Sequence, residues 1–349
     1  MDRYLNVVKK YLNYKPVQYL LYGILFSLIP FLDIYFSFLT RANISLLTRV
    51  MIFAIAALGF NILLGYSGQV SLGHAAFMGM GAYISANLMM KLNFPFLLAM
   101  LISGIIPMLI GLLLGLVALR LARLYLAIAT LGLAVTIQEI FKEWDWFTGG
   151  YSGIRGIPRA SILGFEFIRP QHYLILVTFI LVFFAIFSYN FLSSKTGRAL
   201  VAMRDSEEAA QAMGVSLFKY KLIAFAVSAF YVGVAGSLYA HFIRFLEPTY
   251  WDVVLSLDLL AMVVIGGLAS IGGSIFGAAF IQMVPDIIRK IPLFEGIPNI
   301  NFILTGLVLI VMIIYVPEGL SRKFSALFYR GKNKVLLKIK RDTKGAKVM

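Results

Sequence analysis

The chain has 349 residues, of which 60% are hydrophobic and 13% charged, with a mean hydropathy of +0.88 and a formal charge of +15. A globular protein is about half apolar and about a quarter charged, so this surplus excludes a soluble enzyme, a disordered tail protein and a nucleic-acid reader, despite a pI of about 9.8. The absence of cysteine removes disulfides, thiol catalysis and cysteine-based metal sites.

Crossing roughly 30 Å of hydrocarbon takes about 20 mostly apolar residues. Such runs predict an all-α polytopic membrane protein with about ten transmembrane helices. In chain order they are Leu20–Leu39, Ile44–Leu64, Leu72–Met90, Phe94–Leu119 and Leu124–Phe141, then His172–Leu192, Leu222–Phe242, Val254–Leu268, Ile271–Ile288 and Ile300–Val316. The runs starting near Ser71 and around Gly266–Gly273 are Gly-rich, and each reads as broken or re-entrant. The first run has a basic flank but no small-residue cleavage site after it, so it reads as a retained helix. The whole chain, 1–349, is one transmembrane domain: an N-terminal segment 1–17, a bundle 20–316 and a basic tail 317–349.

Ten spans put both termini on one side, and Lys and Arg collect on the cytoplasmic side of membranes. Arg3, Lys9, Lys10 and Lys15, Arg120 and Arg123, the Ser193–Lys221 loop and the tail all fall on that side. The entire +15 then lies on this face, and the charges of the other sum to zero. Both termini are therefore expected in the cytoplasm. Two polar stretches interrupt the spans, an outer loop 144–171 and an inner, helix-prone loop 193–221. Gly-rich short helices in corresponding places, Gly73–Gly81 and Gly266–Gly277, fit an inverted repeat, a common architecture of transport pathways. The internal sequence likeness is faint.

An engine for chemistry is missing. No G-x-x-x-x-G-K-[ST] phosphate loop occurs, since Gly331-Lys332 lacks the upstream glycine. His74, His172 and His241 are too scattered for a metal site, and no H-E-x-x-H exists. Buried carboxylates would point to ion coupling, but Asp33, Glu139, Asp258 and Asp286 each fall near an outer helix end, where water or headgroups reach them. Glu139 beside Gln138 is the exception, a pair able to line an outer vestibule.

Small and hydrogen-bonding residues interrupt the apolar pattern from Asn61 to His74. Non-helical backbone there must face protein or a water-filled cavity, so Ser67, Gln69, Ser71 and His74 either line a pathway or cap a broken helix. Gly111-x-x-x-Gly115 and Gly273-x-x-x-Gly277 allow close helix approach. In the inner loop, Glu208-Ala209-Ala210-Gln211-Ala212-Met213-Gly214 reads E-A-A-x-x-x-G. Glu207 and Glu208 favour a helix N-terminus, the alanines make a smooth surface and Gly214 ends it. A short rigid helix of this kind suits docking into a partner's groove. An amphipathic helix resting on headgroups is usually basic, whereas Arg204, Asp205, Glu207 and Glu208 mix both signs.

These residues resemble a family. The E-A-A-x-x-x-G segment looks like the coupling segment of ABC importer permeases, although it lacks their hydrophobic-Leu-Pro ending. Three more stretches resemble the permease of branched-chain amino acid ABC importers (the LivM type): Gly65–Phe77, the T-G-G-x-x-G-I-x-G-I-P run Thr148–Pro158, and Val264–Ala278. The likeness covers roughly Asn43–Leu320. It implies a non-enzymatic permease subunit of an ATP-driven importer for leucine, isoleucine and valine in a bacterial or archaeal cytoplasmic membrane. It also implies a homologous second permease subunit, an external solute-binding protein and two cytoplasmic ATP-binding subunits. ATP and magnesium would be used by those subunits, with no cofactor bound by this chain. Carried onto this sequence, Glu207, Glu208, Ala209, Ala210 and Gly214 would transmit ATPase closure. Ser67, Gln69, Ser71 and His74, with Gly266, Gly267, Gly272 and Gly273, would shape the translocation route. Thr148, Gly149, Gly150, Gly153, Gly156 and Pro158 would sit where the binding protein docks. A urea or short-amide ABC permease has similar motifs, a related monosaccharide permease fits less well, and an ion-coupled carrier would need a functional buried carboxylate.

Overall fold

Hydrocarbon offers the backbone no hydrogen-bond partner, so a chain this apolar must satisfy its amides internally, and it does so almost entirely as helix. A computed structural model describes residues 15–36, 39–118, 123–289 and 300–315. Much of the charge balance that orients the termini, including Arg120, the N-terminal segment before Lys15 and the basic tail, lies outside the described residues.

The first half contains α1 (Lys15–Phe36), α2 (Arg41–Asn61), α3 (His74–Lys91), α4 (Phe96–Ala118) and α5 (Arg123–Glu143), followed by the single turn α6 (Asp145–Thr148). The second half contains α7 (Pro170–Ser193), α8 (Lys195–Asp205), α9 (Glu207–Ala212), α10 (Leu217–Ile243), α11 (Val253–Gly266), α12 (Ile271–Arg289) and α13 (Ile300–Tyr315). Every one of the ten apolar runs is thus largely helical. Among the described residues, seven helices are long and apolar enough to cross a membrane: α1, α2, α4, α5, α7, α10 and α12. The other three runs form α3, α11 and α13, with 18, 14 and 16 residues. At 1.5 Å per residue α11 rises only about 21 Å, short of a full hydrocarbon core. The expected run from Leu72 starts instead at His74, because residues 67–73 are irregular.

Among the described residues, sheet structure is confined to the stretch between α6 and α7 and the strand that follows α10. There β1 (Ile154–Arg155) pairs antiparallel with β4 (Phe245–Leu246), and β2 (Ser161–Ile162) with β3 (Phe165–Glu166). A two-residue turn, Leu163-Gly164, closes the second pair with both φ values positive, the backbone that matches hairpin twist.

Helices α2 and α10 form the centre. Of their most apolar stretches 83% and 78% is buried, against 39% or less in the other five spanning helices. A helix apolar all round must be buried on every side, and α10 meets that requirement by packing on α2, α3 and α4. The contacts are backbone to backbone. A Cβ on Gly81 of α3 would overlap Gly233 of α10, one on Gly236 would overlap the Met78 carbonyl, and one on Gly233 would overlap the Ser103 carbonyl of α4. Such approaches are how helices associate where lipid supplies no hydrophobic drive. Polar cross-ties complete the packing. Tyr173 Oη of α7 donates to the Leu238 carbonyl at 2.7 Å, and Tyr231 Oη donates to the Phe184 carbonyl at 3.1 Å while accepting from Ser188 Oγ at 2.8 Å.

Replacing Gly81 or Gly236 with Val should therefore destabilise the bundle by at least about 1–3 kcal/mol through overpacking, read as a lower thermal unfolding midpoint in detergent. Gly132→Ala on α5, where an added Cβ meets nothing within 4 Å, should leave stability unchanged or raise it by up to about 1 kcal/mol.

Candidate functional site

Helix α7 crosses between two ends of the bundle, one carrying residues 194–216 and the other residues 144–169. At the first end Ser194 caps α8, its Oγ accepting from Thr196 N at 3.2 Å. Ser206 caps α9 in the same way, accepting from Ala209 N at 3.1 Å and donating to Glu208 Oε2 at 3.1 Å. Only Ala210 of α9 is buried, whereas Glu208, Ala209, Gln211 and Ala212 are exposed and Glu207 half-buried. The helix stops where Gly214 takes φ +81°, a left-handed conformation that costs an L-residue about 1–2 kcal/mol. Met213, just before it, is 85% exposed.

Two contacts fasten this end to the spanning helices. Lys221 Nζ, in the first turns of α10, lies 2.7 Å from Glu207 Oε2, with side-chain exposures of 11% and 24%. Arg204 Nη1 donates to the Gly65 carbonyl at 3.0 Å, and its Nε and Nη2 reach Asp205 Oδ1.

Gly65 belongs to the place where the second spanning helix fails. After α2 the helix widens into a π-helical segment, Ile62–Tyr66, and residues 67–73 then run non-helically into the bundle. Gln69 Nε2 donates to the Lys221 carbonyl at 3.3 Å, while His74 Nε2 lies 2.8 Å from Ser228 Oγ. Seven residues of α10 separate those partners, so the irregular stretch descends about 10 Å. Its polar groups find partners inside the protein, as burial requires. Ser67 Oγ donates to the Leu63 carbonyl at 2.7 Å and accepts from Gln69 Nε2 at 2.7 Å; Ser71 Oγ lies 3.0 Å from His74 Nδ1. Leu72 N donates to Thr130 Oγ1 and Ala75 N to Ser256 Oγ, both at 3.0 Å. Ser67, Gln69, Ser71 and His74 are all buried. Among the described residues, Gln69 Oε1 is left without a hydrogen-bond partner.

The Gly-rich turn between α11 and α12 sits against the same break. Gly267 has φ +115° and Ala269 φ +57°, so the chain reverses within four residues. Asn61 holds the reversal. Its Oδ1 accepts from Ala269 N at 3.0 Å, and its Nδ2 donates to the Ser270 carbonyl at 2.9 Å and to Ser274 Oγ at 2.8 Å. Gly266 and Gly273 face one another too closely for any side chain on either, whereas a Cβ on Gly272 would meet open space.

At the other end, Thr148 is buried, its Oγ1 2.8 Å from the Trp144 carbonyl, and Gly149, Gly150, Gly153 and Gly156 all have positive φ. The segment is clamped onto the end of α10 by the pairing of β1 with β4, by Arg244 Nε donating to the Ile157 carbonyl at 2.9 Å, and by His241. His241 Nδ1 lies 2.8 Å from the Pro158 carbonyl, which can only accept, so the proton is on Nδ1 and Nε2 accepts from Ser85 Oγ at 2.8 Å. Ser237 Oγ donates in turn to Ser85 Oγ at 2.7 Å. Nearby, Tyr239 and Tyr250 stack at 5.2 Å with Trp251 edge-on to both. Burial first, then the neighbouring Tyr239, pushes the Tyr250 hydroxyl well above its usual range, so it stays neutral.

Three of the four carboxylates singled out in the sequence have partners. Asp33 accepts from Leu39 N at 2.6 Å and Gln171 Nε2 at 3.0 Å; Asp286 pairs with Arg49 at 3.2 Å and Glu139 with Lys142 at 2.7 Å. The pattern gave no separate role to Asn61, Arg204, Lys221, Ser228 or His241. The signal available was polarity inside an apolar run for Asn61, Ser228 and His241; the two cations entered only as charge.

Residues 43–314 match the family described as "Branched-chain amino acid transport system / permease component". The high-affinity branched-chain amino acid transport system permease protein LivM of Escherichia coli K12 is 31% identical over 304 residues, 80% of this chain and 70% of the relative; that of Salmonella typhimurium is equally similar. A probable LivM of Methanocaldococcus jannaschii is 24% identical over 233 residues, 64% of this chain and 67% of its own. The autoinducer 2 import system permease protein LsrC of Escherichia coli (strain K12 / DH10B) is 25% identical over 322 residues, 87% of each chain. No solved structure gives a significant match. With the family pattern spanning most of the described helices, this multi-pass membrane protein belongs to the branched-chain amino acid transport system permease family.

Proposed function

We propose that the chain is the membrane-spanning subunit of an ATP-driven importer of leucine, isoleucine and valine. The observation that carries this beyond family membership is the α8–α9 unit: a capped helix with an exposed face, tied through Glu207–Lys221 and Arg204–Gly65 to two elements of the bundle interior. A partner ATPase seated on Glu208, Ala209, Gln211 and Met213 would push on those ties. In this reading ATP and magnesium belong to two cytoplasmic ATP-binding subunits, and both termini and the α8–α9 end face the cytoplasm. A homologous second permease completes the pore, and an external binding protein docks on the 148–158 segment. The breaks at 67–73 and 267–270 form matching halves of an inverted repeat and flank the route. Their tightly packed glycines allow two alternative packings close in free energy, which alternating access needs.

Substrate choice is the finer part of the proposal. The LivM relatives, named for branched-chain amino acids, favour these over urea and short amides, while the LsrC relatives, named for autoinducer 2 import, support a second reading. Radiolabelled leucine uptake by the reconstituted complex should be competed by isoleucine and valine and unaffected by urea, acetamide or autoinducer 2. Competition by one of the last three alone would replace the assignment.

Coupling has its own test. Gly214→Val should lower uptake about tenfold, because its φ costs about 1–2 kcal/mol for an L-residue with Cβ, whereas Gly214→Asn should retain most of it. The space around Gly214 is open, so the difference reads the backbone and not a clash. Ala209→Pro should abolish uptake with membrane insertion intact. Normal uptake in Gly214→Val and Ala209→Pro would remove α9 from the coupling path.

A further inference from the structure

The bundle end that carries α8 and α9 holds a cavity of about 240 Å³ lined by Lys15, Tyr19, Tyr66, Tyr189, Ser270 and Gly272, among others. It collects Lys15, three tyrosines and the first turn of α12, with the Arg204 guanidinium held one residue from Tyr66 on the Gly65 carbonyl. A second cavity, about 530 Å³, follows α1, α7 and α12 inward and is bounded by Tyr22, Phe26, Leu181, Ala185, Ile275 and Phe276. Tyr19 and Gly272 line both cavities, so the two adjoin there. On all three helices the polar chamber uses the terminal turn and the apolar groove the next turns toward the membrane interior. On α7 the span from Tyr189 to Thr178 is about 16 Å, close to one leaflet of a roughly 30 Å core. The groove asks nothing polar of its occupant: Thr178 Oγ1 already donates to the Leu174 carbonyl at 2.8 Å.

We propose that this paired cavity is a binding site for a phospholipid with an anionic headgroup. The phosphate sits against Lys15 and the hydroxyls of Tyr19, Tyr66 and Tyr189, and one acyl chain lies in the groove between α1, α7 and α12. A soluble phosphate would leave the groove unused, and a partner helix would bury Lys15 and the tyrosine hydroxyls against apolar side chains. A lipid matches the charge at one end, the hydrocarbon at the other and the distance between them.

The test uses the full-length chain co-purified with its co-expressed partner subunits. The complex is equilibrated in nanodiscs of equal parts phosphatidylglycerol and phosphatidylcholine, then extracted, and retained lipid is counted by native mass spectrometry. The wild type should keep phosphatidylglycerol in preference to phosphatidylcholine. Lys15→Ala should cut the retained phosphatidylglycerol about fivefold, the worth of one lysine near an anionic headgroup. Gly272→Leu, which fills the junction without meeting other atoms at Cβ, should lose it, and added inorganic phosphate should leave wild-type retention unchanged. Equal retention of both lipids by the wild type and both variants would overturn the proposal. Stripping of the lipid by inorganic phosphate would assign the polar chamber to a soluble anion and overturn it too. The chain has no cysteine, so oxidative cross-linking of a Phe276→Cys variant to a partner subunit, with no lipid retained, would give the groove to protein.

Discussion

Everything in this structure depends on where the backbone finds hydrogen bonds once it leaves the helix inside hydrocarbon. Lipid supplies none, yet the chain abandons regular helix for residues 67–73 and reverses abruptly at 267–270. Both departures are sheltered by helix and paid for in side-chain polarity: Asn61 serves the reversal, while Thr130, Ser228, Ser256 and the Lys221 carbonyl serve the descent. Removing the break would release these partners into apolar surroundings, so break and partners form a single unit.

That unit ties the ends of the molecule together. Helix α10 is held at one end by Glu207 and Gln69 and at the other by the β1–β4 pairing and the His241–Pro158 contact. Its middle is locked to α3 and α4 through glycine contacts with no slack. Densely packed interiors move by discrete rearrangement, not by continuous deformation. Glu207–Lys221 and Arg204–Gly65 put the α8–α9 unit in direct contact with α10 and with the break.

The polar residues inside this bundle divide by what surrounds them. Ser67, Ser71 and His74 find their hydrogen-bond partners within the chain, which fits capping of a broken helix, and Gln69 does so through Nε2 alone. Asp33, Asp286 and Glu139 have partners at helix ends. Open surface is found on the exposed face of α9 and in the chamber beside Lys15.

Much was legible from the chain alone. Composition demanded a membrane, run length located ten helices, and the Glu207–Gly214 pattern marked a short helix ended by glycine, because hydropathy and capping act over a few adjacent residues. The breaks near Gly65 and Gly267 were also visible, since small polar residues cannot continue an apolar run without reason. What only tertiary structure decided is which of these features meet. Asn61 and Ser270 stand 209 residues apart, and Glu207 finds Lys221 across a loop. Helix α10 is apolar on all sides, so its periodicity names no buried face; only packing assigns Gly81 and Met78 to one side of it and Ser103 to another. Local sequence thus determined the helices and their interruptions, while the pairing of interruptions rested on helix crossings that no local pattern encodes.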